Sequence, residues 1–248
     1  MNKIILVTGG SRGIGAAVAR QAAAQGYTVA LSYLHNTAQA ELVVNDIIDR
    51  GGNAIALQAD VADEQQVIKL FEQVDKRLGR LCALVNNAGI LEQQMRVEKM
   101  DAARLNRILT TNVTGSFICC REAINRMSTA KGGHGGAIVN LSSRAAKLGS
   151  ANEYVDYAAS KAAVDTLTQG LANEVAAEGI RVNAVAPGAI HTDIHASGGE
   201  PGRVDRIKSG IPMQRGGYPD EVANAVLWLL SDQASYTTGS IVDVSGGR

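Results

Sequence analysis

The 248-residue sequence lacks the features that mark several large classes of protein. Its 24 basic and 24 acidic side chains give a formal net charge of +0, so no global field attracts nucleic acid or anionic lipid. The longest apolar run, Ala225 to Leu230, is far shorter than the roughly 20 residues of a membrane helix. Near the N-terminus, Ile4 to Val7 is too short for a signal-peptide core of about 7–15 residues. We therefore expect neither a nucleic-acid partner nor membrane insertion.

Cysteine, proline and aromatic residues are also scarce. The three cysteines are an odd number, which argues against a disulfide framework. Cys119 and Cys120 are adjacent and Cys82 lies in an apolar run, so all three are interpreted as small buried hydrophobic residues. A reducing cytoplasm is the expected location. With 4 prolines and 27 glycines, the sequence predicts long uninterrupted elements joined by tight turns.

What the sequence does contain is a regular alternation of strand-like and helix-like segments. The strand-like segments are 4–8, 28–31, 54–57, 81–85, 137–141, 181–186 and 240–244. The helical segments are an Ala-rich stretch that ends at Gly26, then 37–50, 64–78, 101–127, 154–177 and 219–230. Nearly all-apolar strands in this alternation predict an α/β fold: one doubly wound parallel sheet with helices on both faces. We interpret residues 1–248 as a single domain, in which the long irregular stretch at about 193–218 is a substrate lid.

A glycine-rich turn, Thr8 to Gly15, follows the first predicted strand and opens the first predicted helix. Gly9, Gly13 and Gly15 let the backbone approach a pyrophosphate closely, and the helix N-terminus adds unpaired N–H groups and a partial positive charge. This strand–turn–helix context predicts a dinucleotide-binding site.

The second strand indicates which dinucleotide is bound. An acidic residue at its end usually binds the ribose of NAD, but residues 30–36 contain no acid and the first is Glu41. Arg12 in the glycine turn can reach a 2′-phosphate, so the sequence favours NADP(H) over NAD(H); a solvated surface charge is the alternative. Asp60 and Val61 follow the third strand, where an adenine ring could be held, and residues 86–89 end the fourth strand.

A second group of residues is suited to acid–base chemistry. Tyr157 and Lys161 are four residues apart on a predicted helix and therefore share one face. An ammonium group next to a tyrosine stabilises the phenolate and lowers a pKa that is normally near 10. Ser142 and Ser143 end the strand just before this helix, where a serine could bind a substrate carbonyl. Asn112 lies inside the predicted helix 101–127, where it marks either a kink with a bound water or a satisfied buried amide.

Together these motifs resemble the short-chain dehydrogenase/reductase family over residues 3–245. The resemblance implies a sheet order of 3-2-1-4-5-6-7 and a catalytic tetrad of Asn112, Ser143, Tyr157 and Lys161. Ser143 is chosen because the family uses the second serine of the pair, although it lies fourteen residues before Tyr157 and the family usually has thirteen. The expected cofactor contacts are Gly9, Ser11, Arg12, Gly13, Ile14, Gly15, Ser32, Tyr33, Asn36, Asp60, Val61, Asn87, Ala88, Gly89, Tyr157, Lys161, Pro187, Gly188, Ile190 and Thr192.

The mechanism implied by the resemblance is hydride transfer between the nicotinamide and a carbonyl, with Ser143 and Tyr157 on the carbonyl oxygen. Lys161 lowers the pKa of Tyr157, holds the nicotinamide ribose and passes a proton to a water held at Asn112. No metal is expected: His191 and His195 are four apart, but the sequence offers no third ligand within reach. His195 is interpreted as either a pocket residue or a solvated one.

The substrate is left open among three readings. Lid charges and the absence of lid aromatics favour a small polar carbonyl or secondary alcohol. A 3-oxoacyl-carrier-protein reductase is the alternative, for which a basic docking patch would come from Arg144, Lys147, Arg203, Arg206 and Lys208. The third reading is a non-catalytic NADP(H)-sensing protein, which the intact tetrad disfavours. The resemblance further implies a homotetramer.

Overall fold

The computed structural model describes residues 3–248, which contain one seven-stranded parallel sheet. Its strands are β1 (Lys3–Val7), β2 (Tyr27–Tyr33), β3 (Asn53–Gln58), β4 (Ala83–Asn86), β5 (Gly136–Leu141), β6 (Ile180–Pro187) and β7 (Ile241–Val244). The strand order is β3-β2-β1-β4-β5-β6-β7, which confirms the predicted topology. Strands β2 and β3 lie on one side of β1 and strands β4 to β7 on the other, and parallel sheets bind ligands at the crevice where the strand order switches in this way.

Helices cover both faces of the sheet. They are α1 (Gly13–Ala24), α2 (Thr37–Asp49), α3 (Glu64–Arg77), α4 (Ala102–Leu109), α5 (Gly115–Met127), α6 (Ala145–Leu148), α7 (Val155–Val175), α8 (Ile194–Ser197), α9 (Arg203–Ile207) and α10 (Pro219–Leu230). One core lies between the sheet and α1, α2 and α10, and a second lies between the sheet and α3, α5 and α7.

Strand β1 shows why the apolar runs are continuous rather than alternating. Ile5 and Val7 pack into the first core, and Ile4 and Leu6 pack into the second. All four are at most 2% exposed, so both faces of the strand require apolar side chains. The carboxyl ends of these strands lie at one edge of the sheet, and they carry the glycine turn and the loops after β4, β5 and β6.

The prediction of one helix over residues 101–127 is wrong in its middle. Residues 110–114 form a single π-helical turn between α4 and α5, with the buried Asn112 inside it. A π turn widens the backbone ladder and kinks the helix, which agrees with the kink expected at that asparagine.

The segment 193–218 is less irregular than its composition indicates. It contains the two short helices α8 and α9, and an isolated bridge joins Ile190 to Gly217 across its base. Within the described residues, no helix is both long and apolar enough to cross a membrane.

Candidate active site

The glycine turn has the close packing that its spacing predicts. Gly9 and Gly13 have φ angles of 63° and 53°, in the left-handed region that favours glycine. A Cβ atom on Gly15 would lie 2.4 Å from the Gly9 carbonyl oxygen and 2.5 Å from the Asn87 amide nitrogen. Only glycine therefore allows α1 to start this close to β4.

Side chains from the neighbouring strand hold the turn in place. The Asn87 side-chain amide donates to the carbonyl oxygens of Thr8 and Gly9, each at 2.9 Å. The Thr8 hydroxyl accepts from the backbone N–H groups of Asn87 and Ala88, each at 3.0 Å. Asn87, which we expected to contact cofactor, thus also fixes the shape of the turn.

The N-terminus of α1 has no side-chain cap: the residue before the helix, Arg12, makes no capping hydrogen bond. A helix start leaves several N–H donors without intrahelical partners, and these usually need a side chain, water or anion. The half-buried Ser11, Gly13 and Ile14 surround this point. The free N–H groups at the start of α1 lie next to a turn whose close packing requires glycine. This arrangement fits the binding of a dinucleotide pyrophosphate.

The residues that were expected to contact the adenosine half of the cofactor lie at the ends of β2 and β3. Ser32 is buried and its hydroxyl accepts from the Gly9 N–H at 3.2 Å, so it supports the turn from below. Tyr33 is half-buried at the end of β2, and the exposed Asn36 caps α2 by accepting from Gln39 N–H at 3.0 Å. Arg12 is exposed at the same edge.

Asp60 and Val61 follow β3 at the edge where an adenine ring was expected. The Asp60 carboxylate accepts from the Ala62 N–H at 2.9 Å, which shapes this loop, and Val61 is buried against α5. Gly89 is exposed and lines the cavity described next.

A cavity of about 450 Å³ opens beside the glycine turn at the carboxyl edge of the sheet. Ser143, Tyr157 and Lys161 line its inner wall, and Ile14 and Thr192 lie on the side of the turn. Three of the four members of the predicted tetrad therefore meet in one cavity. The segment 187–192, which was expected to contact cofactor, supplies Pro187, Gly188, Ile190 and Thr192 to the same lining.

Burial controls the charge states of the reacting pair. It raises the pKa of Tyr157 to about 12, and a hydrogen bond from Ser143 opposes this rise. Burial also lowers the pKa of Lys161 to about 8, while the nearby Asp165 carboxylate opposes that fall. The Lys161 Nζ atom lies 5.6 Å from the centre of the Tyr157 ring and donates to the Leu141 carbonyl oxygen at 2.7 Å. Burial thus raises the pKa of Tyr157, which is opposite to the lowering that we expected from Lys161.

Asn112 is fully buried and all of its side-chain donors and acceptors are used. Its Oδ1 accepts from Ile90 N–H at 2.8 Å, and its Nδ2 donates to the Ile90 carbonyl and the Ser160 hydroxyl, each at 3.0 Å. The satisfied buried amide, one of the two alternatives in the sequence, is therefore what the structure shows, and it lies within the π turn. The side chain ties the loop after β4 to the catalytic helix α7.

The extra residue between Ser143 and Tyr157 is accommodated in the loop after α6. Gly149, Ser150 and Asn152 all have positive φ angles, of 74°, 48° and 65°. Tight left-handed turns shorten the path of the loop, so Ser143 and Tyr157 still line the same cavity. The cost is strain at Ser150, because non-glycine residues rarely adopt this conformation.

Sequence reasoning missed a buried ion pair next to the catalytic tyrosine. Arg104 on α4 donates to the Asp156 carboxylate at 2.7 Å, and their side chains are 5% and 2% exposed. Arg104 also donates to the Gln93 carbonyl oxygen at 2.8 Å, and Asp156 accepts from Tyr157 N–H at 2.9 Å. The partners are 52 residues apart, so no local pattern could reveal the pair.

The cations that were expected to form a basic patch are in ion pairs. Arg203 and Arg206 both pair with Glu153 and Glu200, which joins the segment 193–218 to the loop before α7. The remaining three cations of the expected patch are paired as well: Arg144 and Lys147 with Asp243, and Lys208 with Asp205. All five cations of the expected docking patch are thus in ion pairs, with four carboxylates between them. The cavity also has apolar lining, so it is less polar than the lid charges indicated; this lining includes Leu91, Leu148, Ile194 and Ile207.

The two histidines of the lid lie in different environments. His195 is buried and lines the cavity, whereas His191 is exposed and stacks on Tyr218 with 5.1 Å between ring centres. Between residues 3 and 248, no group of three or more His, Cys, Asp or Glu side chains is placed to hold a metal ion.

Comparison with known proteins agrees with this geometry. The profile of the family described as Enoyl-(Acyl carrier protein) reductase matches residues 9–248. An uncharacterized oxidoreductase of Escherichia coli (strain K12), YgfF, is 62% identical over 245 residues, covering 99% of both chains. The 3-oxoacyl-[acyl-carrier-protein] reductase FabG of Staphylococcus aureus is 39% identical, covering 100% of this chain and 98% of the relative.

Solved structures have the same fold as this chain. A short-chain dehydrogenase from Burkholderia cenocepacia in complex with NADP superposes with a TM-score of 0.90 and 35% identity, covering 99% of this chain and 97% of that one. The glycine turn, the Ser143–Tyr157–Lys161 cluster and these similarities lead to one conclusion: the chain is an oxidoreductase that belongs to the short-chain dehydrogenase/reductase family.

Proposed function

We propose that the protein transfers hydride between NADP(H) and the carbonyl or secondary alcohol of a small polar molecule. The observation that carries the proposal is the meeting of Ser143, Tyr157 and Lys161 in one cavity beside the uncapped start of α1. Acid–base groups and a pyrophosphate cradle are the two components that this chemistry needs from a protein.

The chain's own residues supply the proton and the positive charge. The nicotinamide cofactor, when bound, supplies the hydride in reduction and accepts it in oxidation. Tyr157, whose pKa burial raises to about 12, is neutral at physiological pH and donates its proton to the carbonyl oxygen. Ser143 donates a second hydrogen bond to that oxygen. Lys161, whose pKa burial lowers to about 8, is cationic below that pH and stabilises the phenolate left on Tyr157.

Asn112 acts in this mechanism by holding the π turn against α7, and its backbone is the proposed site of the water that returns the proton. The cofactor is held by the glycine turn and its helix start, the ends of β2 and β3, the loop 87–89 and the segment 187–192. Thr192 lies next to Gly13: a Cβ built on that glycine would be 3.4 Å from the Thr192 methyl group.

The preference for NADP(H) is supported by Arg12 and by the absence of acid at the end of β2. Changing Arg12 to glutamate is expected to lower kcat/KM for NADPH by about tenfold to a hundredfold, because a charge-assisted bond to the 2′-phosphate is replaced by repulsion. Activity with NADH should fall much less. Arg77→Glu, at an exposed arginine in the last turn of α3, is the matched control. Equal losses with both cofactors in Arg12→Glu would refute the assignment.

The candidate substrates are distinguished by an absorbance assay of NADPH oxidation at 340 nm. The carbonyl panel comprises small ketones and diketones, hydroxyketones, aldehydes, sugars and acetoacetyl thioesters. We expect turnover of small polar carbonyls. Similarity to FabG favours the thioesters, whereas the ion pairing of all five cations of the expected docking patch disfavours a carrier protein. Faster turnover of an acetoacetyl carrier-protein thioester than of any free carbonyl would establish the alternative.

The proposed assembly is a homotetramer. The proposal is supported by three large apolar side chains that are exposed on two consecutive helices: Leu105 and Leu109 on α4 and Phe117 on α5, which are 37%, 43% and 51% exposed. Light scattering is expected to give the mass of about four chains of 25.9 kDa. A monomer in solution would contradict the assembly. The three cysteines are unpaired, which is compatible with the proposed cytoplasmic location.

A further inference from the structure

Asp165 is a half-buried carboxylate on α7 that the proposed mechanism does not use. It follows Lys161 by four residues and Tyr157 by eight, so the three side chains lie on the same side of the helix. Side chains four residues apart on a helix have Cβ atoms about 5–6 Å from each other. The fold therefore places one unused negative charge a single helical turn behind the catalytic lysine.

The charge of Asp165 is only partly screened by solvent. Its Oδ1 atom is buried and accepts no hydrogen bond. A carboxylate that is partly removed from water acts more strongly on nearby charges than a solvated one, because the medium between them has a lower dielectric constant. Asp165 can therefore act on a neighbouring cation without touching it.

The charged groups around Asp165 come from three elements. Lys147 on α6 and Lys161 on its own helix favour the ionised carboxylate, whereas Asp243 on β7 and burial raise its pKa. Asp243 is paired with Arg144 and with Lys147, which weakens its repulsion of Asp165. In the part of the chain that the structure describes, Asp165 itself is in no ion pair, so its negative charge is not cancelled by a direct partner.

Lys161 is the group in the active site on which this charge acts. Lys161 is 5% exposed, and its Nζ atom donates to the uncharged Leu141 carbonyl oxygen. A buried ammonium without a counter-ion loses its proton more readily than a solvated one. Among the described side chains, Asp165 is the one whose charge opposes this loss, since the adjacent Tyr157 is neutral.

We propose that Asp165 is a positioning residue whose carboxylate keeps Lys161 cationic and thereby extends the reaction to higher pH. The inference rests on the proposed function, because Lys161 acts there as the cation that stabilises the Tyr157 phenolate. The sign follows from the charges. Removal of the carboxylate destabilises the ammonium, so the pKa of Lys161 falls and activity that requires the cation is lost at a lower pH.

Three variants test the charge of Asp165 separately from its shape. Asp165→Asn removes the charge and keeps the size of the side chain, and Asp165→Glu keeps the charge. Asp49→Asn is the matched control: it makes the same change in net charge at an exposed aspartate at the end of α2. Helix α2 packs on the opposite face of the sheet from α7, so this change is remote from Lys161.

The first readout is the pH dependence of kcat/KM for the carbonyl that the unchanged protein reduces fastest, at saturating NADPH. Asp165→Asn is expected to lose about two- to fivefold at about pH 8.5 and less than about twofold at about pH 6.5, because the cationic fraction of Lys161 falls only near and above its pKa. Asp165→Glu and Asp49→Asn should follow the unchanged protein. A loss in Asp165→Asn that is equal at both pH values, or no loss at either, would overturn the proposal.

A second readout does not require turnover. In protein with ¹³C-labelled lysine, the ¹³Cε resonance of Lys161, identified by its absence in Lys161→Arg, moves when the ammonium loses its proton. This transition should occur at lower pH in Asp165→Asn and at the unchanged pH in Asp49→Asn. A lowered transition without turnover of any carbonyl would support the assignment of Asp165 and refute the proposed reaction. Turnover with an unchanged transition would refute the assignment alone, and an unchanged transition without turnover would refute both.

Discussion

Replacing Tyr157 with phenylalanine is expected to lower kcat by about 10²–10⁴-fold, the usual contribution of a positioned general acid. The substitution removes only the hydroxyl, which carries the proton that the reduced carbonyl must receive. The ring stays in place, so Lys161 and Ser143 keep their positions on the cavity wall. Binding of NADPH, measured by fluorescence titration, should be retained.

The matched control is Tyr154→Phe, which makes the same chemical change three residues before Tyr157. The Tyr154 hydroxyl donates to the Gly198 carbonyl at 3.0 Å and the Arg203 guanidinium lies 5.0 Å from the centre of its ring, so Tyr154 anchors the segment 193–218. We expect a much smaller loss of kcat and a slightly lower melting temperature. If Tyr157→Phe kept its activity, another group would be the acid. If no carbonyl were reduced even by the unchanged protein while NADPH bound, the sensing alternative would be favoured.

Replacing Arg104 with methionine is expected to lower the free energy of unfolding by about 3–5 kcal/mol. The substitution leaves the Asp156 carboxylate in a site where its side chain is 2% exposed, with its cationic partner removed. A charge buried without its counter-ion is strongly unfavourable, which accounts for most of this loss. For a chain of this size, the melting temperature should fall by roughly 6–20 °C, measured by circular dichroism.

Two further variants show that charge burial is the cause. Arg107, one turn later on α4, also pairs with a carboxylate, but the Arg107 side chain is 57% exposed. Arg107→Met should therefore melt close to the unchanged protein. The double variant Arg104→Met/Asp156→Leu replaces the pair by apolar side chains and should recover most of the lost stability. A double variant no more stable than Arg104→Met would mean that the hydrogen bond from Arg104 to the Gln93 carbonyl, rather than the ion pair, is responsible.

The fold was predictable because its signals are local and repeated. Each strand of the parallel sheet is buried on both faces, so its sequence is a continuous apolar run, and a helix-period pattern follows nearly every run. The largest error, the unbroken helix 101–127, arose because a π turn has the same apolar spacing on either side as an α-helix. Asn112 was the only local sign of it.

The site was predictable where its residues act within a few positions of each other. Gly9, Gly13 and Gly15 share one turn, and Tyr157 and Lys161 share one helical face. Contacts between distant segments were not predictable. The five cations appeared in sequence as a possible basic patch, and only folding brings Asp243 to Arg144 and Lys147 and brings Glu153 to Arg203 and Arg206.

The sequence by itself determined the order of strands and helices, the dinucleotide turn and the acid–base pair on α7, because backbone geometry and helical periodicity operate over a few residues. Only the tertiary structure decided the charge and contacts of those groups. Burial sets the pKa of Tyr157 to about 12 and that of Lys161 to about 8, and Arg104 meets Asp156 across 52 residues. Desolvation and long-range pairing depend on which segments the fold brings together, and no local pattern encodes that.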